Sequence, residues 1–294
     1  MPNATPARAN VFADVERNGI GKDFSRVDSL SMDPAVFEKL FLNPQTAVKH
    51  DLAKTFAIPT PLALVGIGMA LTPLSCCLMG WRGSNQQKLG AADIGAYLWF
   101  GGFSVIASAV MEFILGNTFS FVLFMGYGSW FLTYGATLQP FYNAAGAYAA
   151  GAFNAPPLAN LTEATAQDWG DLSPQFHASF GFIVVFMAVF SLIMLICSIR
   201  VNVVLVLLLL SIFLGFVLIA ASIFAESESL ALIAESLTIG GGACLFAASL
   251  LNWYLLVAVL LLAVDFPILI GVYDLSTIVP GRSEIEAGRR NKED

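Results

Sequence analysis

Between residues 56 and 270 long apolar runs alternate with short polar breaks, and crossing a bilayer takes about 20 predominantly apolar residues. Six runs of that kind fall near 60–81, 94–115, 119–140, 178–199, 201–225 and 238–264. The pattern predicts an all-α polytopic membrane protein with six transmembrane helices per protomer. The second and third runs are separated only by Gly116-Asn117-Thr118, and the fourth and fifth meet at Arg200. A long loop, 141–177, joins the third to the fourth and carries Glu163, Asp168 and Asp171. The division is therefore a polar, mobile N-terminal tail over 1–55, a transmembrane domain over 56–270 and a polar C-terminal tail over 271–294. One short helix is expected in the first tail, near 34–40. No internal repeat is read in the letters.

Composition agrees with this class. The 294 residues are 57% hydrophobic and only 12% charged, where a soluble domain carries about a quarter. Net charge is −7 with no basic face, so nucleic acid is not an expected partner and membrane lipid is. Cys76, Cys77, Cys197 and Cys244 lie in apolar runs without a C-x-x-C pair and read as free buried thiols. With only His50 and His177 available, no metal and no cofactor are expected. A Ser–His–acid set, paired carboxylates within a span and a glycine-rich phosphate loop are all missing from the sequence, so it does not read as an enzyme.

Charge also sets orientation. No signal peptide is read at the start, so the first span is expected to insert itself. With a cytosolic N-terminus, twelve of the fourteen basic residues fall in inner segments and only Arg82 and Lys88 outside. That asymmetry predicts both termini in the cytosol. The sequon Asn160-Leu161-Thr162 then lies on the outer side, the correct one for glycosylation.

The polar residues inside the spans leave more than one reading open. Gly66, Gly68 and Ala70, Gly101 and Gly102, Gly126, Gly128 and Gly135, and the run Gly240–Ala243 mark faces where helices approach closely. Pro73 interrupts the hydrogen-bond ladder of the first helix. Ser129, Thr133 and Thr137 recur every four residues on one face of the third, near Tyr127. Each hydroxyl either bonds its own i−4 carbonyl or lines a path for a small polar solute. Asn252, near the middle of the sixth span, needs an interhelical partner. Glu112 lies about a turn from the cytosolic end of its helix, where reaching the interface and handling a proton are competing roles. The residues alone describe a narrow, weakly polar interior, fit for a channel or transporter of something small.

The stretch EFILGNTFSFVLFMGYGSWFLTYGATLQP, Glu112 to Pro140, resembles the signature of the acetate uptake transporter family. The family includes bacterial succinate–acetate permease and fungal acetate and ammonia-export-associated membrane proteins. SIRVNVVLVLLLLS, NWYLLVAVLLLAVDFP and DLST add to the likeness, the last two to the fungal branch. The family's Asn-Pro-Ala-Pro-Leu-Gly-Leu is represented by Ile58-Pro59-Thr60-Pro61-Leu62-Ala63-Leu64, which keeps Pro59, Pro61 and Leu62 and departs at three positions.

The resemblance implies six helices and a pathway in each protomer, hexameric assembly, and a constriction at Ile67, Tyr127 and Leu210. It implies transport of acetate or another short monocarboxylate, proton-coupled symport and plasma-membrane residence. Glu112, with Asn117 and Thr118, is expected either to exchange a proton or to fix the elbow. Ammonium or ammonia export, another small-solute channel, or a non-transporting sensor stand as alternatives.

Overall fold

The computed structural model describes residues 56–151, 162–268, 270–273 and 275. The N-terminal tail with its expected helix near 34–40, the Asn160 sequon and residues 276–294 lie outside the described residues.

Six long helices make up the described chain: α1 (Thr60–Leu78), α2 (Ala91–Leu115), α3 (Thr118–Thr137), α4 (Pro174–Ser198), α5 (Val203–Ser227) and α6 (Ala231–Ala263). Five are long and apolar enough to cross a membrane, which makes this an integral, multi-pass membrane protein. The other, α3, has 20 residues, about 30 Å of helix. Its glycines, serines, threonines and tyrosines lower its hydropathy.

Local chemistry sets the ends. Pro61 and Pro174 occupy first turns, where a missing N–H removes no helical bond. Asn202 caps α5, its side chain accepting from the Leu205 N–H at 2.8 Å. Helix α6 starts at Ala231, well before the expected 238. The polar Glu235 and Ser236 that weaken the apolar signal there point outward and leave the helix intact. Inside α2, Tyr97–Ser104 is a π-helical stretch.

In packing order α3 lies on α2, α2 on α1, α1 on α6, α6 on α5 and α5 on α4. Tyr127 of α3 meets Phe190 of α4 edge to face, ring centroids 5.4 Å apart, and this closes the ring. Lipid offers no hydrophobic drive for helix association, so backbones must approach closely. At Gly66 a Cβ would come 2.5 Å from the Phe100 carbonyl oxygen, so the α1–α2 contact requires glycine.

The expected C-terminal tail begins docked. The Leu275 N–H donates to the Val201 carbonyl at 3.2 Å, and Val203 donates to Tyr273 at 3.0 Å. Tyr273 and Leu275 thus pair with the turn between α4 and α5.

Candidate functional site

The elbow between α2 and α3 is built around a buried acid. Gly116 ends α2 in the left-handed region, φ +84°, where a side chain would be strained. Glu112, 0% exposed, accepts from Thr60 Oγ1 at 2.5 Å and from Asn117 Nδ2 at 2.7 Å. Ser108, one turn earlier, donates to the Pro59 carbonyl at 2.8 Å. The carboxylate therefore faces inward and ties the start of α1 to the elbow; it does not reach for the interface. Of the expected elbow residues Asn117 is engaged and Thr118 is exposed. In the first-helix motif Pro59 is buried and Pro61 half-buried, while Leu62 faces outward.

Inside the ring is an apolar cavity of about 80 Å³, walled by α1, α3, α4, α5 and α6. Ile67 and Tyr127 both line it. Leu210 does not. It is 38% exposed, whereas its neighbour Leu209 is fully buried and forms the α5 wall. The ungapped register read from the sequence is thus off by one residue. Tyr127 donates to Ser191 Oγ at 3.0 Å, and Ser191 donates to the Met187 carbonyl at 2.8 Å, so the phenol is anchored to α4.

The stripe of hydroxyls on α3 has a different environment. Ser129 and Thr133 face outward, Thr137 is half-buried, and none of the three lines the cavity. Thr133 and Thr137 each donate to the carbonyl four residues back, at 2.9 Å. Thr133 and Thr137 thus take the local hydrogen-bonding role, and Thr137 alone also reaches a polar space described next.

Sequence reasoning missed two features. Asn252 lines the cavity besides holding α6 to α1, its Nδ2 donating to the Leu64 carbonyl at 2.8 Å. Above the cavity, at the end away from the elbow, lies a polar vestibule of about 300 Å³. Leu89, Tyr134 and Phe180 line both spaces and form the partition between them. Two tyrosines latch the backbone there. Tyr134 donates to the Leu89 carbonyl at 2.6 Å, and Tyr97 to that of Gly90 at 2.9 Å.

Lys88, Asp168, Asp171, His177 and Glu226 carry the vestibule's charge. Lys88 Nζ meets Asp168 Oδ1 at 2.7 Å, a bond that raises the lysine pKa. Burial pushes the Asp171 carboxyl above its usual range, against the pull of Lys88. His177 Nδ1 lies 3.2 Å from Glu226 Oε2, and its Nε2 lies 2.7 Å from the Asp171 carbonyl. Among the described residues no group of His, Cys, Asp and Glu is arranged to hold a metal, and all four cysteines are free.

The described helices thus enclose a narrow apolar chamber, separated by a tyrosine-latched partition from a polar vestibule. The sequence of residues 40–276 matches the model of the GPR1/FUN34/yaaH family. The chain belongs to that family. Protein alcS of Aspergillus fumigatus is 38% identical over 248 residues, covering 84% of this chain and 86% of its own. Acetate transporter protein patA of Aspergillus clavatus is 29% identical, over 67% of this chain and 70% of its own. Acetate permease A of Emericella nidulans is 28% identical, over 60% of this chain and 53% of its own.

Among solved structures, the bacterial acetate channel SatP superposes with a TM-score of 0.51 at 23% identity. It covers 70% of this chain and 93% of its own, and shows the shared fold. The resemblance to the acetate uptake transporter family therefore holds, and the family is one of transporters, not of enzymes.

Proposed function

We propose that this protein carries acetate or another short monocarboxylic acid across the membrane, through the vestibule, past the Leu89–Tyr134–Phe180 partition and along the cavity lined by Ile67, Tyr127 and Leu209. The size and chemistry of the cavity carry the reading. At about 80 Å³ it is roughly half the ~150 Å³ apolar cavity that holds benzene, which suits a solute of two or three carbons. A bare carboxylate meets a large desolvation cost in such a space, whereas the protonated acid carries no charge. The names of the relatives, acetate transporter, acetate permease and acetate channel, point the same way.

In this reading α3 is the sixth crossing, both termini are cytosolic, and the vestibule opens outward. Coupling to protons, a homo-oligomeric and specifically hexameric assembly, and residence in the plasma membrane follow from the family resemblance. The test is uptake of labelled acetate into proteoliposomes holding the full chain, at acidic and neutral external pH. Saturable uptake above that of empty liposomes, larger at acidic pH and altered in Tyr127→Ala, is expected. Uptake no faster than leakage by folded protein would contradict the proposal.

A further inference from the structure

The amide of Asn252 is 1% exposed and sits on the cavity wall. Its orientation is fixed, because the Leu64 carbonyl at 2.8 Å only accepts and so requires the NH₂ side of the amide. The other end, Oδ1, is buried without a hydrogen-bond partner among the described residues. Buried side-chain acceptors normally find a donor, so an unpartnered acceptor on a cavity-lining residue is a candidate contact for a donor that enters the cavity. Gly68 of α1 makes room for the amide group itself. A Cβ at Gly68 would come within 3.0 Å of Asn252 Nδ2 and 2.8 Å of the Trp253 ring.

We infer that Asn252 Oδ1 is the acceptor that recognises the solute, and that it selects the undissociated acid, whose O–H donates to it. The inference rests on the transport reading above. A carboxylate anion has two acceptor oxygens and no donor, so toward Oδ1 it offers only repulsion between lone pairs. Among the described residues that line the cavity no Asp, Glu, Lys, Arg or His compensates, and the ionisable side chains there are Tyr127 and Tyr134. The vestibule filters in the same sense. It sets Asp168, Asp171 and Glu226 against Lys88, which already pairs with Asp168, and His177, which faces Glu226. An anion approaching that mouth meets net negative charge, while the neutral acid does not. Two independent features, one at the entrance and one at the centre, thus favour a small uncharged hydrogen-bond donor.

The decisive experiment holds the undissociated acid constant. Labelled acetate uptake into proteoliposomes of the full chain is measured from pH 5.5 to 7.5, with total acetate raised so that the acid stays fixed while the anion rises about 100-fold. The rate above empty liposomes should stay constant within about twofold. Folded Asn252→Leu should lose about tenfold of that rate, as one hydrogen bond implies. In the wild-type chain acetamide, uncharged at every pH and bearing N–H donors, should compete with acetate. Nitromethane, of similar shape with acceptors only, should not.

Uptake that climbs with the anion, a folded Asn252→Leu with the wild-type rate, or equal competition by nitromethane would each overturn the inference while leaving acetate transport standing. If Asn252→Leu does not fold, the two wild-type measurements decide alone. A wild-type chain that moves methylammonium but no acetate at any pH would overturn the transport reading and this inference with it.

Discussion

Glu112 offers the sharpest check on how the structure is held together. Its two oxygens serve two donors on different elements, Thr60 on α1 and Asn117 at the elbow. Leucine in its place fills similar space and removes both acceptors. Losing the acceptor of a buried donor costs about 1–3 kcal/mol each, so Glu112→Leu should destabilise by about 4 kcal/mol. Glutamine is milder. Its amide oxygen serves Asn117 while its NH₂ donates to a rotated Thr60 hydroxyl, keeping both bonds without the assistance of charge. The difference between charged and neutral hydrogen bonds sets that loss at about 2 kcal/mol.

The assay is equilibrium unfolding of the full chain in mixed micelles with rising dodecyl sulfate, followed by tryptophan fluorescence. Adding Thr60→Val closes a double-mutant cycle, for which a coupling of about 1.5–3 kcal/mol is expected. Zero coupling, or a Glu112→Leu chain as stable as wild type, would refute the tie. Transport gives an independent readout. A carboxylate that only ties the elbow leaves the pH profile of Glu112→Gln unchanged, whereas a shifted profile would assign it proton handling.

Gly66→Val should weaken the α1–α2 contact by about 1–3 kcal/mol, because a rigid backbone carbonyl stands 2.5 Å from the new Cβ; an unchanged unfolding midpoint would contradict the close approach. Lys88 and Asp168 are 54% and 65% exposed, so Lys88→Met should cost less than about 1 kcal/mol. Because the folded lysine's pKa is raised, that contribution is present at neutral pH and lost as pH rises through the raised value, and unfolding midpoints at high and low salt should converge. Asp171 is raised by burial, so the folded state binds its proton more tightly than the unfolded one. Its contribution therefore falls as pH climbs from the ordinary carboxylate value through the raised one, and Asp171→Asn should flatten stability over that window. Tyr127→Phe, which gives up the 3.0 Å bond to Ser191 while keeping the ring against Phe190, should lose about 1 kcal/mol of stability in the same unfolding assay.

What the sequence discloses, and what it hides, follows from lipid as solvent. The helices were legible because hydrocarbon demands long apolar runs, and the elbow because three small or polar residues between two such runs leave room only for a hairpin. The π-helical stretch in α2 was not legible, since the wider turn changes no residue type. Facing was the hardest property to read. In water an apolar face marks the inside, but here the outer face of a helix is as apolar as the inner. The Ser129–Thr133–Thr137 stripe was thus open to two readings: Ser129 and Thr133 face outward, Thr137 is half-buried at the vestibule, and both threonines donate to their own helix. Leu210 shows the same limit. One residue turns a helix by about 100°, enough to exchange the cavity for the outer surface when a register slips by one. Asn252 was visible as an oddity in hydrocarbon. Its second role needed coordinates, because only geometry shows that one end of the amide is occupied and the other is not.

The neighbours Leu209 and Leu210 provide the most direct test of the claim that solute passes through this cavity. Leu209→Trp and Leu210→Trp introduce the same side chain one residue apart, the first into the cavity and the second onto the outer surface. Labelled acetate uptake at acidic pH should fall to the leakage of empty liposomes in Leu209→Trp and stay near wild type in Leu210→Trp. Equal uptake by the two variants, or a block confined to Leu210→Trp, would contradict a pathway through the cavity.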